Sequence, residues 1–475
     1  MPKILDLPSL RHSDRAVAAV WCSAVLLAPQ LAWAAEPLSL PAVQAAAERW
    51  FPALLAAQED IAAAEGERLS AQGGFDPSWK TLGGATPLGY YDNWRLDTVV
   101  QQPLQAGGAN LLAGWRIGQG QFAVYDGKAE TLQAGEVRAG VTLPLIRDRE
   151  VDARRVALRN AAANPQIARA QRDAQVLEVR RAAAVRYWTW VEATLQLQIA
   201  KGLLQLAQDR NAGLAQRVAR GDLAALELQE NQRAILSRQG IVVAAERAVQ
   251  SAAAELALYV RDDRGQPRLP KPEEAPPAVP VPDVRASAEL AVVAERAVGR
   301  RPERLRLQLQ AEQARQEAAL ARNQALPELD LMGTLSQDLG GSSKRLDPFN
   351  VEFGVVLDIP LRTRNADGKR QQALAKAKKA QIQTDFLYER ILTDLRDLQA
   401  ADQAARQRLD LARQEQVLAK QLAAAEAEQF RLGSGNALLV NLREQAAAEA
   451  EGRLVSALVE LQRLRAAWVA VTAGE

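Results

Sequence analysis

One pattern is written twice along this 475-residue chain, and it limits the possible folds more than any other feature. In the first half Ala47-Glu48-Arg49 leads to Pro52, and Pro77 follows 25 residues later; in the second half Ala294-Glu295-Arg296 leads to Pro302, and Pro327 follows at the same spacing. Each second proline opens a non-helical region. One closes on Gly140-Val141-Thr142-Leu143-Pro144-Leu145, the other on Gly354-Val355-Val356-Leu357-Asp358-Ile359-Pro360-Leu361. Both copies then enter long proline-poor stretches that reach a glycine, Gly221 or Gly433, where helical propensity falls and the chain can reverse. Internal repetition of this kind governs the fold and has to be read before local detail.

Seven residues beyond each glycine an apolar spine begins: Leu228, Ile235, Val242, Val249, Leu256 in the first copy and Val440, Ala447, Leu454, Leu461, Trp468 in the second. Heptad spacing is a coiled-coil signal. The outgoing helix agrees, with Val176, Val179, Ala183, Trp190, Ala193, Leu197, Ala200, Leu204 and Ala207 on three- and four-residue steps and Arg186 breaking the series. A helix from Val151 to Val218 would be about 100 Å long and one from Lys369 to Arg431 nearly as long, so each copy is a very long helical hairpin. Pro165 is expected to kink or interrupt the first. Seven prolines within residues 265–285 make a stiff extended linker between the copies.

Residues 73–146 differ from the rest in holding 13 of the 29 glycines together with Phe75, Trp79, Tyr90, Tyr91, Trp94, Trp115, Phe122 and Tyr125, a mixture that favours strands and turns. Trp94, Leu96, Thr98 and Val100 alternate with Arg95, Asp97 and Val99, and Val137, Ala139, Val141 and Leu143 with Arg138, Gly140 and Thr142. The second copy offers Leu329, Leu331, Gly333 and Leu335, then Val351, Phe353, Val355, Leu357 and Ile359, around a loop with Gly340-Gly341-Ser342-Ser343. One hairpin per copy is expected, hence four strands. Strands of this length with one apolar face can cross an outer membrane, whereas a small soluble sheet buried against protein would show the same alternation. Four strands cannot close a barrel, and lipid does not tolerate open edges, so a membrane reading requires strands from several chains.

Composition removes other chemistries. Lys3, Arg11 and Arg15 precede an apolar run from Ala16 to Leu31 that ends on Ala32-Trp33-Ala34, which reads as a secretory signal over residues 1–34. Its removal takes His12 and Cys22, the single histidine and single cysteine. Serine-histidine triads, cysteine nucleophiles and His/Cys zinc sites are then excluded within one chain, and no catalytic residue, cofactor or metal site is expected. Carboxylate-only chemistry survives in principle, but the acidic residues sit in helical segments where a solvated face explains them. A net charge of +2 gives no nucleic-acid signature.

Arg217-Val218-Ala219-Arg220-Gly221-Asp222 and Phe430-Arg431-Leu432-Gly433-Ser434-Gly435, with the two strand ends running from Gly-Val to Pro-Leu, resemble the TolC family of outer-membrane efflux channels. The likeness covers nearly all of the chain after the signal. It implies a mainly α fold with a β-barrel part: a first repeat over residues 35–264 with its strand hairpin at about 75–146, the Pro-rich linker, and a second repeat over residues 286–475 with its strand hairpin at about 327–362. It further implies a homotrimer whose four transmembrane strands per chain close one 12-stranded barrel in the outer membrane of a Gram-negative bacterium. The long helices would continue as an α-helical tube through the periplasm, toward a periplasmic adaptor protein and an inner-membrane pump. By the same resemblance the hairpin tips, Arg217, Gly221 and Asp222 with Arg431, Gly433 and Ser434, meet the adaptor. The first strand region is longer than the family pattern, leaving room for extra strands or a long external loop.

Where some family members carry acidic rings inside the second tip, this chain has Leu439 and Leu442. The first copy has Glu227 and Glu230, three apart and so on one helix face. A mixed constriction, apolar closure from the leucines with acidic lining from the glutamates, is one expectation for the entrance; a solvated glutamate pair is the other. The competing functional class is a periplasmic coiled-coil scaffold or adaptor-like protein without a pore.

Overall fold

The paired prolines turn out to start helices. In the computed structural model, which describes residues 37–124, 129–283, 289–341 and 349–474, Pro52 opens α2 (Pro52–Gln72) and Pro302 opens α6 (Pro302–Asn323). There the missing N–H costs nothing, because a first-turn amide has no intrahelical acceptor. The preceding short helices α1 (Leu40–Trp50) and α5 (Leu290–Arg300) end at the residue before each proline's neighbour, as the steric restriction ahead of proline demands. The signal segment, Tyr125, and Ser342-Ser343 lie outside the described residues.

Two helices dominate: α3 (Ala153–Ala219) has 67 residues and α7 (Arg364–Arg431) has 68. Each is therefore about 100 Å long. Asp152 caps α3, its side chain accepting from the Arg155 amide at 2.8 Å. Pro165 does not interrupt it. The residue is buried within α3, where packing against α2 and α6 holds the backbone helical across the lost hydrogen bond. The returning helices are α4 (Ala225–Leu256) and α8 (Ala437–Val471). On the sheet side α2 and α6 flank α3, with α7 beyond; on the tip side α4 and α8 take those places. Four helices thus run side by side at either level.

The predicted spine packs inward. Val242, Val249 and Leu256 of α4 and Val440, Ala447 and Leu461 of α8 are buried. The largest apolar cluster gathers Tyr187, Trp188, Trp190 and Val191 of α3 with Val43 of α1, Leu256 and Val459. A second joins Val293, Ala294 and Ala297 of α5 to Ile391 and Leu395 of α7. The Pro-rich linker is docked on this region, with Val279 buried and the Pro280 carbonyl accepting from Gln462 Nε2 at 2.7 Å.

The strand count departs from expectation. Among the described residues six strands, not four, form a single antiparallel meander: β1 (Ser78–Thr86), β2 (Asn93–Pro103), β3 (Asn110–Gly120), β4 (Glu136–Pro144), β5 (Glu328–Asp338) and β6 (Asn350–Asp358), hydrogen-bonded in that order. The first copy supplies two hairpins and the second supplies one. β1 and β3 carry glycines at 83, 84, 114, 118 and 120, and Leu82 and Leu112 fall on the face that holds the charges. Both features blur the alternation that exposes β2 and β4 in the sequence.

Candidate functional site

Two regions carry functional potential: the faces of the sheet and the ends of the helical hairpins. In an antiparallel sheet directly opposed residues share a face, so the register assigns every side chain. Trp79↔Val100, Thr98↔Trp115, Trp115↔Val137, Ala139↔Leu335 and Leu331↔Val355 chain one face together across all six strands. That face also holds Trp94, Leu96, Leu111, Ile117, Val141, Leu329, Phe353 and Leu357, and it carries no charged residue. Trp79 and Phe353 are 77% and 76% exposed.

The opposite face holds Lys80, Arg95, Asp97, Arg116, Glu136, Arg138, Glu328, Asp330, Asp338, Glu352 and Asp358. Arg116 pairs with the fully buried Glu136. Arg138 of β4 reaches across β3 to Asp97 of β2 at 2.7 Å, passing over Gly114, where an added Cβ would meet the Thr98 carbonyl at 2.5 Å. A sheet sorted in this way cannot have water on both sides without leaving the tryptophan and phenylalanine face unburied.

At the first hairpin end Gly221 has φ +79°, with its amide donating to the Val218 carbonyl (3.0 Å) and the Asp222 amide to the Arg217 carbonyl (2.9 Å). The second end repeats this: Gly433 has φ +88°, its amide donates to Phe430 O at 3.1 Å, and the Ser434 amide donates to Gln429 O at 3.0 Å. Both are left-handed helix stops that favour glycine by dihedral angle. A Cβ at either would meet nothing within 4 Å, so within one chain the glycines serve the turn and not a close backbone approach.

The two ends are tied together. The Arg217 guanidinium lies 5.8 Å from the ring centre of Phe430, and Glu227 Oε2 accepts from the Ala437 amide at 2.6 Å, capping the start of α8. Leu214, Phe430, Ala437 and Val440 are buried between them. Glu227 and Glu230 are thereby divided in role. Glu230 bonds Arg233 at 2.6 and 3.0 Å, and that hydrogen bond holds its carboxyl below the usual range. Arg431 is exposed and paired with Glu428 at 2.6 Å, which raises the arginine and lowers the glutamate. Asp222 is exposed, its carboxylate 3.3 Å from Arg220, and Ser434 Oγ donates to Gln429 O at 3.1 Å. Leu439 and Leu442 open α8 with 36% and 54% exposure.

Sequence reasoning missed the polar layer above the tips. Arg238 is 4% exposed and donates to Leu203 O (2.7 Å) and Glu444 (3.0 Å), while Arg210 meets the same Glu444 at 2.6 Å. Desolvation holds Arg238 below the ordinary arginine range. Asn231, fully buried, donates to Ala207 O at 3.0 Å. The signal was present: Asn231 and Arg238 sit seven apart, each three residues past a spine position, where a coiled coil ordinarily places an apolar side chain.

No family model and no curated protein sequence matches the chain. Solved structures do. The outer membrane protein VceC from Vibrio cholerae is 16% identical with TM-score 0.62, covering 92% of this chain and 96% of its own. CusC, described through its folding and transmembrane channel formation, is 13% identical with TM-score 0.64, covering 92% of each. The chain has a TolC-like channel fold. The open state of the MtrE outer membrane channel from Neisseria gonorrhoeae agrees, at 15% identity and TM-score 0.63 over 92% of this chain and 89% of that one. A TolC-like fold accounts for the order of elements, two long hairpins continuous with one sheet, while the six-stranded sheet and the Glu227 tie are read from this chain itself.

Proposed function

We propose that this chain is the channel subunit of a tripartite efflux or secretion system in the outer membrane of a Gram-negative bacterium, giving passive passage from periplasm to exterior. The observation that carries the reading is the sorted sheet: an uncharged face with exposed Trp79 and Phe353 suits lipid, and the charged face suits a water-filled lumen. Among the described residues no helix is long and apolar enough to cross a membrane, so the strands are the part fitted to do so.

In this reading three copies assemble, the helices extend into the periplasm, and the tips receive a periplasmic adaptor that an inner-membrane pump supplies. Arg217, Gly221, Asp222, Arg431, Gly433 and Ser434 form the adaptor contacts. The entrance is narrowed by Leu439 and Leu442, with Glu230 as the acidic lining; Glu227 supports the wall through its cap on α8. Detergent extraction from outer-membrane fractions, a heat-sensitive trimer band and single-channel currents in planar bilayers are the expected results. A water-soluble protein with no conductance after reconstitution would return the scaffold reading. Crosslinking from cysteines at Arg217 and Arg431 identifies the adaptor.

A further inference from the structure

We infer that neighbouring copies pair β1 on β6, so that the barrel of the trimer has eighteen strands and not twelve. The inference rests on the channel reading above and concerns which edges close the barrel.

The sheet has two open edges. β1 and β6 are each nine residues long, β1 is exposed at every position, and β6 at all but two. Neither edge carries the usual protection. There is no proline within either strand, and the charges, Lys80 on β1 with Glu352 and Asp358 on β6, all lie on the polar face. Six alternating strands also leave the edges running in opposite directions, so β6 of one copy meets β1 of the next antiparallel around any closed ring. Lys80 and Asp358 sit near the helix-side ends of their strands with opposite charge.

The alternative is a twelve-stranded barrel in which β1 and β2 stand aside and β3 takes the edge. Several features hold the first hairpin in the wall. β2 pairs with β3 along the full run from Asn93↔Gly120 to Pro103↔Asn110. The Arg138–Asp97 bond crosses β3 to fasten β2, and Thr81 Oγ1 lies 3.0 Å from Thr98 Oγ1. The turn between β2 and β3 is wedged at the base of the shaft, where an added Cβ on Gly108 would meet the Asp148 carbonyl at 2.4 Å and Arg155 Nη2 at 3.3 Å. The uncharged face continues over β1 and β2 through Trp79, Thr81, Trp94 and Leu96.

The test uses cysteine pairs on the uncharged face of the full chain in a Cys22→Ser background. Thr81→Cys is combined in turn with Phe353→Cys, Val355→Cys and Leu357→Cys to scan the unknown register, and Ala113→Cys with the same three represents β3 at the edge. After oxidation, non-reducing denaturing gels should show covalent dimers and trimers at least tenfold stronger from one Thr81 pair than from any Ala113 pair. Crosslinks from the Ala113 series alone, or a trimer by light scattering that crosslinks in neither series, would overturn the inference while leaving the channel reading intact. A monomer in detergent would remove the channel reading, and this one with it. As a second measurement, Lys80→Glu and Asp358→Lys should each lower the temperature at which the trimer band dissociates, and the double exchange should restore it. Unaltered dissociation in both singles would count against the β1–β6 contact.

Discussion

The shaft and the sheet use the same apolar side chains to opposite ends. In the shaft Trp190 and Leu395 are entirely enclosed, and Leu461 closes a heptad seam. In the sheet Trp79 is 77% exposed and Phe353 76%, although the strands bearing them are regular and paired. Charge is distributed the other way: shaft surfaces carry exposed ion pairs such as Arg453–Glu415, whereas the uncharged face of the sheet has none and every charged strand residue points to the other side. The difference lies in contiguity: α3 encloses its tryptophans, and the shaft's exposed apolar residues stand among charges, whereas the sheet displays Trp79, Trp94 and Phe353 on one continuous uncharged face that a lone chain in water would leave unburied.

The contrast breaks most readily at Trp190. Trp190→Ala is expected to destabilise the shaft by about 3–5 kcal/mol, read by thermal unfolding of the assembled protein, whereas Phe353→Ala should leave helix melting unchanged. A smaller effect separates the sheet faces. Phe353→Lys should cost about 2–4 kcal/mol of membrane stability, measured by urea titration in vesicles, against about 1 kcal/mol or less for Glu352→Lys. Equal costs would end the assignment of lipid to the uncharged face.

Alkali probes the shaft through one buried tyrosine. Burial pushes the Tyr187 hydroxyl up to about 12 from 10, while it donates to Leu38 O at 2.8 Å. The unfolded chain therefore loses its proton first, and the stability present below pH 10 declines as pH rises from 10 to 12. The loss reaches about 2–3 kcal/mol, and Tyr187→Phe should abolish this step in a pH series of unfolding curves. At the tip Gly221→Ala should cost about 1–2 kcal/mol, since φ is +79° there, while Gly202→Ala, mid-helix with nothing within 4 Å of the added carbon, should stabilise by about 0.5–1 kcal/mol. Least of all, Glu230→Gln should change stability by a few tenths of a kcal/mol, as expected for an exposed helical pair, and its value lies in cation preference measured by single-channel recording.

Much of this architecture is legible in the residues. Gly221 and Gly433 mark reversals because only a left-handed stop needs glycine at the end of so long a helix, and Pro52 and Pro302 mark starts for a matching reason. β2 and β4 announce themselves by alternation. β1 and β3 do not, since their glycines serve close strand approach, as at Gly114, and carry no hydropathy signal. Pro165 does not end the helix because propensity is local and the packing that overrides it is not. Glu227 and Glu230 look alike three residues apart, yet one reaches a neighbouring helix and the other a residue of its own. That distinction depends on where α8 begins in space, which spacing along α4 cannot contain.

The bond from Glu227 to the Ala437 amide, with Arg217 stacked on Phe430, makes both reversals of a subunit a single rigid foot. In the trimer proposed above, three such feet would part only along the lines between subunits. The diameter they left would then be set by how far whole protomers swing, and a partner gripping either loop would move its sibling with it.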